Sequence, residues 1–178
     1  MKKLNNILLI DDDAICSWIN RVMLEEMQVA ENVECINDGK SAIEYLQKNC
    51  SSEAGSDKSC PDLILLDLNM PGIDGFDILE KLKHTAGCES LSSERVVILT
   101  TSMHQKDLEK ARSYNVYSYL TKPLTEVKIN GILESLVSRQ DKVATEQKEK
   151  QGASLPADRK STDRPAGAAN TFKKNKLN

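Results

Sequence analysis

The stretch Leu63-Ile64-Leu65-Leu66-Asp67-Leu68-Asn69-Met70-Pro71-Gly72 decides how the rest of the chain reads. Four consecutive large apolar side chains leave no polar face, so a strand built from them must be covered on both sides. Asp67 ends the run, and Pro71-Gly72 is a turn pair. Further short strand-like runs lie at residues 7–10 and 96–99, wholly apolar, and at 33–36 and 116–120, interrupted by Glu34 and Ser118. Between them, apolar side chains recur at helical spacing. Ile15, Trp18, Ile19, Val22, Met23 and Met27 form one stripe, and Ala42, Ile43 and Leu46 a second. Phe76, Ile78, Leu79 and Leu82 mark a third helix, Leu108 and Ala111 a fourth, and Ile129, Ile132, Leu133, Leu136 and Val137 a fifth. Five strands alternating with five helices predict an α/β fold: a doubly wound parallel sheet with helices on both faces and right-handed crossovers. Residues 49–60 are polar and Ser-rich and read as a loop, and residues 84–94 form a second polar connection.

Composition narrows the class. The chain has 178 residues, 39% hydrophobic and 29% charged, which suits a globular domain and excludes a collagen-like or wholly disordered polymer. No apolar run approaches the roughly 18–20 residues of a membrane span. Near the start the only such run is residues 7–10, too short for a secretion signal, so a cytoplasmic protein is expected. The five cysteines, Cys16, Cys35, Cys50, Cys60 and Cys88, are odd in number and contain no C-x-x-C pair. They read as reduced thiols, neither a disulfide framework nor a zinc site. Charge marks a boundary. Residues 139–178 hold ten Lys or Arg against five Asp or Glu, a net +5, which leaves the first 138 residues at −8 for the total of −3. With only Val143, Leu155, Phe172 and Leu177 as large apolar side chains, that last segment reads as a disordered basic tail, too polar for an output domain. Phe172, Lys173, Lys174 and Lys176 are its candidates for a nucleic-acid arm. A charge run is usually just solvated, so nucleic acid is not expected as a partner.

In an open parallel sheet, ligands bind beyond the carboxyl ends of the strands. Those ends carry Asp11-Asp12-Asp13, Asp67 with Asn69, Thr100-Thr101-Ser102, and Lys122-Pro123. Two carboxylates ~4 Å apart repel by about 4 kcal/mol at an effective dielectric of 20, so a gathering of acids shifts their pKa values or demands a cation. Hard oxygen ligands without thiolate point to Mg²⁺, which commonly pairs carboxylates with phosphate oxygens. Lys122 would then neutralise one phosphoryl oxygen and the Thr100 hydroxyl would hydrogen-bond another. Asp67, at the end of the central strand, is the best-placed nucleophile for an aspartyl phosphate. Each residue also has an ordinary use. Asp13 is as much an N-cap as a ligand, Pro71-Gly72 is a turn in most sequences, and Lys122 alone would be a surface charge. Their coincidence on the correct ends of the correct strands is what carries the functional reading.

The motifs I-D-D-D at 10–13, L-L-D-L-N-M-P-G-I-D-G at 65–75, I-L-T-T-S at 98–102 and Y-L-T-K-P at 119–123 resemble those of receiver domains of bacterial two-component response regulators, of the stand-alone chemotaxis-regulator type. The resemblance covers about residues 4–138 and implies a flavodoxin-like sheet of order 2-1-3-4-5. It implies Asp67 as phosphoacceptor, with Mg²⁺ held by Asp12, Asp67, the Asn69 backbone carbonyl and, through water, Asp11. Thr100 and Lys122 match the residues that contact the phosphoryl group, and Tyr119 matches an aromatic that turns inward on activation. Asn69 and Ser102 flank the path of the attacking water and would tune dephosphorylation. The Lys122-Pro123 bond is expected to be cis. Thr101 stands where the family often has a smaller side chain. The implied partners are a sensor histidine kinase or histidine phosphotransfer protein and a downstream protein target. The protein is then no turnover enzyme, and its only chemistry is partial self-catalysed phosphotransfer and autodephosphorylation.

Two other functions share parts of this pattern. A Mg²⁺-dependent phosphatase of the haloacid-dehalogenase type also forms an aspartyl phosphate, but needs an acid two residues after its nucleophile, and here that residue is Asn69. A pure interaction module with a never-phosphorylated acidic pocket would have no use for the complete set of acids, Thr and Lys.

Overall fold

The computed structural model describes residues 3–50, 60–89, 91–101, 104–136 and 138. Ser102 and the expected tail, 139–178, lie outside them. The elements are β1 (Leu4–Ile10), α1 (Ala14–Glu26), β2 (Ala30–Ile36), α2 (Gly39–Cys50), β3 (Leu63–Leu66) and α3 (Gly75–Lys83). They continue with α4 (Leu91–Arg95), β4 (Val96–Thr100), α5 (Gln105–Ser113) and β5 (Ser118–Thr121). A last helix, α6, runs over 126–136. All five strands are parallel, in the order β2-β1-β3-β4-β5, as expected.

The apolar runs alternate between two cores, because successive strand side chains point to opposite faces. Leu8, Ile10, Ile64, Leu66, Val96 and Ile98 face one layer, where they meet Ala42 and Leu46 of α2, Ile78, Leu79 and Leu82 of α3, and Ala111 of α5. Ile7, Leu9, Leu63, Leu65, Val97 and Leu99 face the other, against Leu24 of α1 and Ile129, Ile132, Leu133 and Leu136 of α6. Burying each such side chain is worth about 1.5–3 kcal/mol, which is why the central strands β3 and β4 need no polar face, whereas the edge strand β2 exposes Glu31, Asn32 and Glu34. The strands end in register: Ile10 pairs with Leu66, Leu66 with Ile98, and Thr100 with Thr121. The residues that follow each strand therefore emerge along one edge.

Four features differ from the sequence reading. First, the polar connection 84–94 contains the beginning of the short helix α4. Second, the last strand is shifted to Ser118–Thr121. Third, the apolar stripe of α1 does not face the core as a unit. Ile15, Trp18 and Ile19 are 72%, 64% and 54% exposed, whereas Ser17, Asn20 and Leu24 are buried. The cause lies at the end of β1, where the Asp11 carbonyl needs donors. The Ser17 hydroxyl supplies one at 3.3 Å, and Asn37 Nδ2 supplies another at 2.7 Å. Satisfying that carbonyl turns the polar side of the first turns inward.

Fourth, Cys50 and Cys60 form a disulfide, with Cα atoms 4.7 Å apart. Only Cys16, Cys35 and Cys88 are free thiols, so the expectation of five reduced cysteines is corrected. The pair sits where α2 ends and the chain returns toward β3, with Cys60 in the core beside Ile64 and Leu66. The two described ends of the polar stretch, Cys50 and Cys60, are thus held together. A cross-link spanning 10 residues removes denatured-state freedom worth about 2–3 kcal/mol in the chain-entropy account. Reductant should therefore lower the urea midpoint of the native chain by about 1–2 M. Cys50→Ala should begin at the lower midpoint and show no response to reductant.

Candidate functional site

Four of the five strand ends each deliver one group to the same edge. Asp11 follows β1 and is 3% exposed, Asp67 follows β3 at 6%, and Thr100 closes β4 fully buried. Lys122 follows β5 and reaches back across the edge. Its Nζ lies 2.7 Å from Asp11 Oδ2 and 3.0 Å from Asp67 Oδ2. Backbone bonds hold these ends together: Asp67 N–H donates to the Ile10 carbonyl at 2.8 Å, and Lys122 N–H to the Thr100 carbonyl at 2.8 Å. Gly75, the first residue of α3, is required here, since a Cβ at that position would collide with the Asp67 carbonyl. Gly72 at φ +80° makes the preceding turn, a conformation that favours glycine. The Lys122-Pro123 peptide is cis.

Burial dominates the charge balance. It raises the Asp11 carboxyl above its ordinary pKa, against the lowering influence of the Lys122 ammonium and of the Asp13 N–H bonded at 3.1 Å. Burial likewise opposes the Lys122 charge, but Asp11 and Asp67 outweigh it and the ammonium pKa is raised. Asp11 Oδ2 is a buried carboxylate oxygen that faces the Lys122 ammonium at 2.7 Å. Oxygens of Asp11, Asp12 and Asp67 all lie within 4.8 Å of one another, and Asp12 stands exposed at the mouth. Three carboxylates this close, with a single ammonium between two of them, form a set of hard oxygen donors that suits a divalent cation, so the residues present fit Mg²⁺.

The remaining candidates separate clearly. Asp13 is the N-cap of α1, accepting from Ile15 N at 2.9 Å and Cys16 N at 3.1 Å, which holds its carboxyl below the ordinary pKa. Asn69 donates from Nδ2 to Thr100 Oγ1 at 3.2 Å, and its backbone N–H donates to Asp67 Oδ1 at 3.3 Å. Tyr119 is half-buried against the core, and the Thr100 hydroxyl acts on its phenol. Thr101 is exposed, and Ser102 lies outside the described residues. Sequence reading missed Ser17 and Asn37 as holders of the Asp11 carbonyl. Asn37 stands before Asp38-Gly39 and reads there as an ordinary turn residue.

This arrangement belongs to a known family. The family model of the response regulator receiver domain matches residues 7–134, and the chain is a member of that family. Probable methanogenesis regulatory protein FilR2 of Methanothrix harundinacea is 34% identical over 130 residues, covering 73% of this chain and 79% of the relative. Response regulator Rcp1 of Synechocystis is 32% identical over 116 residues, covering 65% and 75% respectively. Among solved structures, a two-component response regulator from Cytophaga hutchinsonii superposes with a TM-score of 0.66 at 28% identity, covering 77% of this chain and 99% of that one. The receiver domain of a sensor histidine kinase from Pseudomonas aeruginosa, described with a magnesium ion coordinated in its active-site cleft, shares the fold with a TM-score of 0.60 at 21% identity, covering 75% and 98%. The chain is thus a receiver of two-component signalling. Among its described residues no helix is long and apolar enough to cross a membrane.

The sign of the Asp11 shift makes a stability test. A carboxyl whose folded pKa is raised opposes folding once ionised, and the penalty vanishes below the unfolded pKa of about 4. Without divalent cations, Asp11→Asn should raise Tm at pH 7 by a few degrees. The gain should shrink to nothing as the pH falls below about 4.

Proposed function

We propose that this receiver accepts a phosphoryl group on Asp67 from the phosphohistidine of a sensor histidine kinase or histidine phosphotransfer protein. The observation that carries the reading is the Lys122 ammonium, 2.7 and 3.0 Å from the carboxylates of Asp11 and Asp67 at two adjacent strand ends. An Asp67 oxygen attacks phosphorus in line, an O–P bond forms, and the histidine nitrogen leaves with the electron pair. Lys122 moves its charge onto one phosphoryl oxygen, and the Thr100 hydroxyl donates to another. Asp12, Asp67 and the Asn69 backbone carbonyl would hold Mg²⁺, with Asp11 acting through water. Bound there, the metal supplies charge neutralisation for the incoming phosphoryl oxygens. Asn69, with Ser102, borders the approach of water and so tunes the lifetime of the phosphorylated form.

The protein is a switch, with self-catalysed phosphotransfer and autodephosphorylation as its only chemistry. Thr100 is drawn toward the phosphoryl group and Tyr119 follows, rearranging the surface around α5, β5 and α6. Two packings a few kcal/mol apart suffice for one modification to invert their populations. The receiver occupies residues 1–138, in the cytoplasm, with 139–178 as a basic appendage. Donor docking is supported by Ile15, Trp18 and Ile19, which face solvent next to the acidic edge. Exposed apolar side chains in one patch mark a protein contact.

With acetyl phosphate and Mg²⁺ the native chain should take up one acid-labile phosphate. Asp67→Asn should take up none, and stoichiometric labelling of that variant would remove Asp67 from its role. Trp18→Ala should slow transfer from a phosphorylated partner at least fivefold, in the range of an interface anchor. Its uptake from acetyl phosphate, which needs no docking face, should match the native chain.

A further inference from the structure

The device that aims Lys122 has a second cation behind it. Lys128 lies in the first turn of α6, a poor place for positive charge, since the helix dipole disfavours cations at its N-terminus. Its side chain turns back from the helix. Nζ donates to the Thr121 carbonyl at 2.5 Å, the Pro123 carbonyl at 2.8 Å and the Thr121 hydroxyl at 3.4 Å. An ammonium has three protons, and all three are used.

The acceptors matter because of what lies between them. Thr121 is the last residue of β5, and its pairing with Thr100 is the last of the β4–β5 ladder. Beyond it the sheet no longer fixes the chain. Lys122 stands at that point, bonded on one side through its own N–H to the Thr100 carbonyl at 2.8 Å. Lys128 grips the carbonyls on either side of it. The backbone that carries Lys122 is therefore clamped from the sheet and from α6 together, and its ammonium is delivered 3.0 Å from Asp67.

We propose that Lys128 is a positioning residue for phosphoryl uptake: by bracing residues 121–123 it keeps the Lys122 ammonium on the acceptor carboxylate. This rests on the reading of Asp67 and Lys122 given above. Lys128 touches none of the acids, so it should govern the rate of uptake without governing metal affinity.

The test is a double-mutant cycle on the full chain, with phosphoramidate as donor at saturating Mg²⁺. Lys128→Met keeps most of the aliphatic stem and removes the donors, and should slow uptake about three- to tenfold, a moderate coupling for groups that share a network. Mg²⁺ affinity by calorimetry should stay within about twofold, and Lys128→Arg should restore most of the rate, since a guanidinium can still donate to both carbonyls. In a Lys122→Ala background, Lys128→Met should change nothing further. An unchanged rate, or the same loss with and without Lys122, overturns the proposal. A readout independent of phosphorylation is the Lys122 ¹³Cε resonance, which should move in Lys128→Met and return in Lys128→Arg. If the native chain takes up no phosphate, the functional reading fails, and this resonance alone decides whether Lys128 sets Lys122: movement supports it and a fixed resonance overturns it.

Discussion

One ammonium group holds the edge of this protein together. Asp11 and Asp67 emerge from neighbouring strands because parallel pairing brings the two strand ends into line, and both are almost wholly buried. Left alone, two such carboxylates would repel and draw water into the sheet. Lys122, arriving from the far strand, places its charge between them at 2.7 and 3.0 Å. The compensation is incomplete, since burial still raises the Asp11 pKa. That residual demand for positive charge makes the pocket receptive. A site fully satisfied by its own side chains would have no reason to take a metal ion or a phosphoryl group.

The surrounding architecture serves this balance. Ser17 and Asn37 converge on the Asp11 carbonyl, Asn69 links Thr100 to the segment after Asp67, and Lys128 braces the backbone on both sides of Lys122. None of these residues belongs to the buried charge cluster itself. Each removes a degree of freedom from a group at the strand ends, and pre-arranged charge is what makes such a site effective.

Much of this was legible from residue order. The run Leu63–Leu66 coincides with β3, and the acids fall where the strands stop. Strand burial on two faces is a one-dimensional signal, and so is a charge placed directly after it. What failed depended on through-space partners. The α1 stripe looked like a core face, but helical spacing alone does not say which side turns inward, and the donors needed by the Asp11 carbonyl reversed the answer. Cys50 and Cys60 lack any short cysteine motif, and only the fold shows that the end of α2 and the approach to β3 bring them together. Lys128 carried a faint signal, a lone base in the opening turn of a helix, whose meaning appears only once its three acceptors are in view.

The two-sided apolar strands carry a further implication. When both faces of a strand are greasy, sliding it along its neighbour by one residue exchanges Leu for Ile without exposing anything, so oiliness by itself specifies alignment poorly. What such a slip cannot hide is the first charged residue, which would be dragged into the sheet interior. Asp11 and Asp67 therefore act as end-stops that set how far β1 and β3 may travel past each other. The acidic cluster and the fidelity of strand assembly draw on the same two side chains, so a neutral, apolar replacement at either position would loosen folding accuracy as well as dismantle the cluster.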